Sequence, residues 1–281
     1  MQGIIVKNIS DLYTVKWNNK KIDCKAKGKF RKDNIVPTVG DIVEFDLEKK
    51  VITKILKRKN ILVRPPVSNI DIAIIVMSVK EPEFNTNLLD KLLNIIEFNN
   101  IKPIICLSKM DLLKDKTLIN KYNEYYKSIG YEIVLNTDYS KIEDIIKDKI
   151  IVITGQSGVG KSTMLNNLDN TLTLKTNEIS HALGRGKHTT RHVELLDMFG
   201  GLIADTPGFS SLTFLEMTKE DIRDNMIEFN NYKDKCKYKD CMHLKEEDCY
   251  IKKLVNNGII LKTRYENYEK FINEVKNQKN Y

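Results

Sequence analysis

No apolar run in the 281 residues approaches the roughly 20 needed to cross a bilayer, which argues against a spanning helix. Met1 to Ser10 lacks the basic-then-apolar profile of a secretory leader, so the expected home is the cytoplasm and no membrane partner is expected. Internal repeats and low-complexity tracts are also missing. The cysteines number five, an odd count that argues against a simple disulfide framework. Three of them, Cys236, Cys241 and Cys249, cluster near the C-terminus, where metal binding is the better reading in a reducing compartment. With 41% hydrophobic and 30% charged residues, the composition suits a folded chain of two or three domains.

The net charge of +8 is unevenly spread. Residues 1–64 carry sixteen Lys/Arg against seven Asp/Glu, whereas the rest carries thirty against thirty-one. The basic excess therefore lies in the N-terminal quarter, as on a surface that meets phosphates. Four segments there alternate in part and read as strands: Gly3–Val6, Leu12–Trp17, Lys21–Cys24 and Asp41–Phe45. Short strands in about 60 residues suit a small barrel of the oligonucleotide-binding type, although another small barrel would give the same pattern. The loop Lys25 to Asn34 sets Lys25, Lys27, Lys29, Arg31 and Lys32 around Phe30. It reads either as a grip on a phosphate backbone with a ring to stack a base, or as a solvated loop.

Arg64-Pro65-Pro66 punctuates the chain, and a strand–helix alternation follows. Ile70–Val79, Lys102–Leu107, Glu132–Leu135 and Ile150–Ile153 read as strands; Asn85–Asn99 and Tyr122–Ile129 read as helices. That rhythm implies a parallel sheet covered on both faces. Gly155-Gln156-Ser157-Gly158-Val159-Gly160-Lys161-Ser162 then joins a strand to a helical stretch, Ser162–Leu168. This is the Walker A pattern in its confirming context. Its glycines let backbone N–H groups turn toward phosphates, Lys161 reaches the β- and γ-phosphates, and the Ser162 hydroxyl holds Mg²⁺, with Thr163 beside it. Asp205-Thr206-Pro207-Gly208 closes the apolar run Leu202–Ala204. There Asp205 suits Mg²⁺ through water and the Gly208 N–H suits the γ-phosphate.

Ser108-Lys109-Met110-Asp111 closes the strand that ends at Leu107. An Asn/Thr-Lys-x-Asp sequence at a strand end reads guanine, because the carboxylate accepts from N1–H and the 2-amino group together, a pair that adenine does not offer. Ser108 departs from the usual Asn. The motif also precedes the phosphate loop instead of following it. The Ser-Ala segment that usually contacts the base is not found; Asn136-Thr137 stands where it should fall.

These residues, in this order, resemble the circularly permuted ribosome small-subunit-dependent GTPases, the RsgA/YjeQ family. The resemblance covers the whole chain, including the bridging segment Arg64-Pro65-Pro66-Val67-Ser68-Asn69-Ile70-Asp71. It implies that Gly184-Arg185-Gly186-Lys187-His188-Thr189-Thr190-Arg191-His192 is a mobile switch, with Thr190 (or Thr189) as Mg²⁺ and γ-phosphate ligand. Phe209 follows Gly208 where many GTPases place a water-orienting Gln, and the resemblance gives that task to His188. It further implies a role in late maturation of the small ribosomal subunit, with rRNA held by the barrel and hydrolysis stimulated by the particle.

Cys236-x4-Cys241-x-His243-x5-Cys249 supplies three thiolates and an imidazole within fourteen residues, a closed structural set for one Zn²⁺. Cys24 and Cys106 lack such partners, and Cys106 reads as a small buried hydrophobe. The expected architecture is a small β-barrel of the OB-fold at 1–64, an α/β P-loop GTPase domain at 65–217 and a helical zinc module at 218–281, working as a monomer. Two rival readings remain at this point: a zinc-stabilised RNA-binding protein that uses nucleotide as a structural ligand, and a P-loop ATPase.

Overall fold

The computed structural model describes residues 1–28, 30, 35–63, 66–169, 193–205, 213–214 and 216–278. Five strands open the chain: β1 (Gln2–Ile9), β2 (Leu12–Trp17), β3 (Lys20–Ala26), β4 (Ile42–Asp46) and β5 (Val51–Ile55). They run in the order β1-β2-β3-β5-β4, and β4 pairs back onto β1 through Gln2↔Glu44, Gly3↔Val43 and Ile4↔Ile42. The sheet is thus closed on itself, which removes its edges. Alternate residues point inward, so Ile5, Val15, Cys24, Val43, Phe45 and Ile52 fill the barrel at 0–2% exposure. Phe30 joins this core at 5% exposure. Its ring is packed inward and not presented for a base, so of the two readings of the Lys25–Asn34 loop, aromatic stacking through Phe30 is not supported. Lys29, Arg31 and Lys32 lie outside the described residues.

A short hairpin, β6 (Ile61–Val63) with β7 (Pro66–Ser68), leads out of the barrel. Gly40 sits against it with φ +92°, and a Cβ there would lie 2.1 Å from the Ser68 carbonyl oxygen, so only glycine allows this approach.

Beyond the hairpin come β8 (Ile72–Ser78), β9 (Lys102–Ser108), β10 (Glu132–Leu135), β11 (Ile150–Thr154), β12 (Glu194–Met198) and β13 (Gly201–Asp205). Their order is β10-β9-β8-β11-β13-β12, parallel except for the β12–β13 hairpin. Both faces are covered, which explains the unbroken apolar runs. Ala73, Ile75 and Met77 meet α1 (Thr86–Phe98) and α2 (Thr117–Ser128) through Leu89, Leu92, Tyr125 and Tyr126. Ile72, Ile74 and Val76 meet α3 (Tyr139–Ile146) and α4 (Lys161–Leu168) through Ile142, Ile146, Met164 and Leu168. Asn85 caps α1 by accepting from the Leu88 N–H at 3.0 Å.

Among the described residues the C-terminal part forms four α-helices: α5 (Lys219–Asp224), α6 (Ile227–Tyr232), α7 (Tyr250–Asn256) and α8 (Lys262–Gln278). Thr218 and Asp221 form a reciprocal capping box at the start of α5. These helices pack on α1, and the junction holds a buried ionic cluster. Arg264 on α8, 1% exposed, donates to Asp90 on α1 at 2.7 Å and to Glu228 on α6 at 2.7 and 3.1 Å. Tyr126 and Asn267 also donate to Asp90, at 2.5 and 2.7 Å. Removing one member of such a cluster strands a buried charge, at a cost of about 3–5 kcal/mol. No helix among the described residues is long and apolar enough to cross a membrane.

Candidate functional site

Parallel strands align their C-terminal ends on one edge of the sheet, and ligands bind in open α/β sheets beyond that edge. Ser78 at the end of β8 lies beside Ser108 at the end of β9, and Leu135 lies beside Leu107. Strands β9 and β11 flank β8, so at the ordinary spacing of about 4.8 Å their ends are about 10 Å apart. The lysine-aspartate motif leaves one of them and the phosphate loop leaves the other.

The loop after β11 is shaped by its glycines. Gly155 has φ +138°, and a Cβ on it would lie 2.1 Å from the Val76 carbonyl oxygen. Gly160, φ +91°, ends the loop as the N-cap of α4. The loop amides and the helix N-terminus together form a positive cradle for phosphate. Lys161 opens the helix and folds back over the loop, donating to the carbonyls of Gly155 (2.7 Å) and Gln156 (2.8 Å). Burial without a counter-charge pushes its ammonium down to about 8. A bound phosphate chain would supply that counter-charge.

The guanine-type motif is braced against this cradle. The buried Ser108 hydroxyl donates to the Val159 carbonyl in the phosphate loop at 2.7 Å. The serine that stands in place of the usual Asn thus reaches the phosphate loop with its own hydroxyl. Lys109 takes left-handed geometry, φ +59°, and its ammonium donates to the Glu81 carbonyl. A single 3-10 turn, Met110–Leu112, follows and leaves Asp111 exposed at the sheet edge. Asn136-Thr137 emerges next to it: the Asn136 N–H donates to the Leu107 carbonyl at 2.9 Å, and Asp138 accepts from the Leu135 N–H at 3.1 Å.

Asp205 is the last residue of β13, two strands from β8 across β11. The expected ligands His188, Thr189, Thr190 and Gly208 lie outside the described residues.

At the other end of the molecule the four expected metal ligands converge. The donor atoms of Cys236, Cys241, His243 and Cys249 all lie within 4.8 Å of one another. His243 Nδ1 is 3.6 Å from the Cys236 sulfur and 3.3 Å from the Cys249 sulfur. A tetrahedral Zn²⁺ with ordinary bond lengths sets N and S about 3.6 Å apart, so donor type and spacing both fit. Burial holds His243 down to about 4, hence neutral as a ligand must be, and pushes the Cys241 thiol up to about 12 in the absence of a cation.

The supports of this cluster escaped the sequence reading. Glu246 straddles His243, accepting from the N–H groups of Met242 and Leu244 at 2.8 Å each. Tyr265 and Tyr268 donate to the carbonyls of His243 and Met242 at 2.6 Å.

Barrel, permuted sheet and paired loops define a P-loop GTPase whose guanine motif precedes its phosphate loop. The chain belongs to the RsgA GTPase family. The family model described as RsgA GTPase matches residues 55–215, and that of the RsgA N-terminal domain matches residues 2–54. Among curated proteins the chain is 48% identical to small ribosomal subunit biogenesis GTPase RsgA 2 of Listeria monocytogenes, over 99% of both chains. It is 44% identical to RsgA of Bacillus subtilis, over 99% of this chain and 98% of that one. Among solved structures it is similar to YloQ, described as a circularly permuted GTPase, with TM-score 0.83 and 38% identity over 99% of this chain and 95% of that one. YjeQ from Thermotoga maritima gives TM-score 0.83 and 36% identity over 98% of each chain. An ATPase and a non-enzymatic RNA-binding protein are both set aside by this membership.

Proposed function

We propose that this GTPase acts in the late maturation of the small ribosomal subunit, binding the particle and its rRNA and hydrolysing GTP to GDP and phosphate under its stimulation. The observation that carries the nucleotide half is the Ser108–Val159 bond, which holds a base-reading loop and a phosphate cradle in one rigid unit. The ribosomal half is supported by curated relatives at 43–48% identity over nearly the whole chain, each named a small ribosomal subunit biogenesis GTPase.

In this reading Asp111 accepts from the guanine N1–H and 2-amino groups, while the Lys109 stem and Met110 line the base and Ser108 braces their loop. Gly155, Gln156, Ser157, Gly158, Val159, Gly160 and Thr163 wrap the phosphates, and Lys161 neutralises charge on the β- and γ-phosphates. Ser162, Thr190 and Asp205 would hold Mg²⁺, which adds charge neutralisation when bound with the nucleotide; Thr189 and Gly208 contact the γ-phosphate. His188 orients the attacking water. Positioning dominates phosphoryl transfer, so turnover by the protein alone is slow and an activator supplies on the order of 10³–10⁵. Cys236, Cys241, His243 and Cys249 hold one Zn²⁺ in a closed, structural set. Residues 1–64, 65–217 and 218–281 are the working units of a cytoplasmic monomer whose basic barrel grips rRNA.

Hydrolysis measured with and without purified small subunits tests the reading. Stimulation in the wild type, lost in His188→Ala with nucleotide affinity kept, is the expected result. Fast turnover without subunits, or none gained with them, contradicts it.

A further inference from the structure

Among the described residues, the barrel is tied to the hairpin β6–β7 and to strand β12 by contacts that differ in kind. At one, Asp41 is fully buried and accepts from Arg58 at 2.7 and 2.8 Å, from the Thr38 N–H at 2.8 Å and from the Ser68 hydroxyl at 2.7 Å. Asn69 adds a bond to the Gly40 carbonyl at 2.9 Å. The Asp41 carboxylate is fully buried and every bond to it is short, so this joint is held more firmly than an exposed pair, although Arg58 itself is 26% exposed.

At the other, β1 touches β12 through one register pair among the described residues, Lys7↔Glu194. Side chains do the rest. Lys7 pairs with Glu194 at 2.6 Å, and the Asp197 carboxylate receives Lys16 from β2 and, at 3.6 Å, Lys21 from β3. Lys16 and Lys21 face each other directly across β2 and β3. Like charges so placed repel, and Asp197 is the counter-ion that lets them stand together. The Lys21 and Asp197 side chains are 47% and 46% exposed, so the Lys21 arm is screened and easily opened, while Lys16, 23% exposed, is the firmer arm.

Strand β12 also leads to the nucleotide site. It pairs along its length with β13, where Glu194 lies opposite Asp205 and Leu196 opposite Ile203. The β12–β13 pairing thus links the strand that carries Asp197, opposite Leu202, to the strand that ends at Asp205.

We propose that Asp197 is an internal substitute for an RNA phosphate: it occupies Lys16 and Lys21 until a phosphate backbone takes them, and the freed β12 carries that event to the nucleotide site. The inference rests on the RNA-binding role given to the barrel above. Linkage makes the effect reciprocal, so a nucleotide state that displaces β12 alters the barrel's affinity for RNA.

The test compares wild type with Asp197→Asn, a near-isosteric change on an exposed side chain. Two probes are titrated with the full-length protein: purified small subunits, with GDP or a non-hydrolysable GTP analogue bound, and a short oligouridine at low and high salt. Asp197→Asn is expected to bind both probes about three- to fivefold tighter in the GDP state at low salt, the size an exposed pair supplies, and to narrow the difference between nucleotide states. Because the open clamp frees β12, hydrolysis without RNA is expected to differ from the wild-type rate, and an unchanged rate counts against the link to the nucleotide site. Unchanged oligouridine affinity overturns the clamp, and so does weaker binding in both nucleotide states. A wild type that binds oligouridine but no subunit refutes the ribosomal role and leaves the clamp to be judged on the oligouridine result alone. Lys21→Gln, which opens the same clamp while removing an RNA contact, is expected to narrow the nucleotide dependence without the gain in affinity; full retention of that dependence counts against the proposal.

Discussion

The hydroxyl of Ser108 donates to the carbonyl of Val159 across 51 residues of sequence at 2.7 Å, both residues being almost fully buried. In the proposed reading one loop faces the base and the other faces phosphate, so this bond would set the distance between two recognition events. Ser108→Ala leaves the Val159 carbonyl without that donor, which costs about 1–2 kcal/mol. The expected outcome is a roughly 5- to 30-fold loss of GDP affinity, read by fluorescent-nucleotide titration. A variant that binds GDP like the wild type would show that the two loops are held by other means.

Gly155 is the residue on which the phosphate loop turns. A methyl group there would overlap the Val76 carbonyl at 2.1 Å while the backbone stays at φ +138°. Gly155→Ala is expected to cost about 2 kcal/mol or more and to abolish tight GDP binding. Thermal melting and titration check the two effects separately.

Lys161 gives a pH signature. Its ammonium is pushed down from 10.5 to about 8 by burial, so in the nucleotide-free protein the folded state gives up this proton before the unfolded chain does. The group's unfavourable contribution is complete below about pH 8 and fades as pH rises toward 10.5. Bound phosphates favour the charged form, so binding takes up a proton above that midpoint. GDP affinity should be flat below about pH 8 and weaken above it, by at most about tenfold per unit. Lys161→Met should bind weakly at every pH and lack the bend.

Legibility from sequence followed burial. The runs read at Ile70–Val79 and Ile150–Ile153 became β8 and β11, readable because a strand covered on both faces must be apolar throughout. Strands β5 (Val51–Ile55) and β12 (Glu194–Met198) were not read, since each mixes charged with apolar residues and is held by its neighbours more than by its own pattern. Helix α3, Tyr139–Ile146, is eight residues long and too short to show a period. The phosphate-loop pattern, the Ser108–Asp111 motif and the Cys/His cluster stood out in the sequence because such chemistry demands fixed spacing, and the fold does bring the four Cys/His donors together. Their supports did not stand out. Arg264 with Asp90 and Glu228, or Asp197 with Lys16, join residues far apart in the chain through tertiary packing alone. Phe30 shows the converse: composition left its loop open to two readings, and the burial of the ring in the barrel core speaks against the stacking one.

The metal cluster predicts a local dependence. Cys241, His243 and Cys249 are buried in the core of the helical module, with Cys249 at the start of α7. Stripping Zn²⁺ with a chelator, or Cys241→Ser, should lower metal content from one ion per chain and speed hydrogen exchange across α7 and α8. Barrel strands β1–β5 should keep their protection. Metal analysis that finds no zinc in protein purified without chelator would refute the assignment.

Base recognition by Asp111 is the claim on which the rest depends. Asp111→Asn turns an acceptor into a donor, which mismatches the guanine 2-amino group and matches the 2-carbonyl of xanthine. The decisive measurement is a parallel titration of wild type and Asp111→Asn with GDP and xanthosine diphosphate. A loss of about 100-fold or more for GDP, with xanthosine diphosphate becoming the preferred ligand, is the expected result for an exchange of paired for unpaired polar groups. Equal GDP affinity in the two proteins would contradict the account.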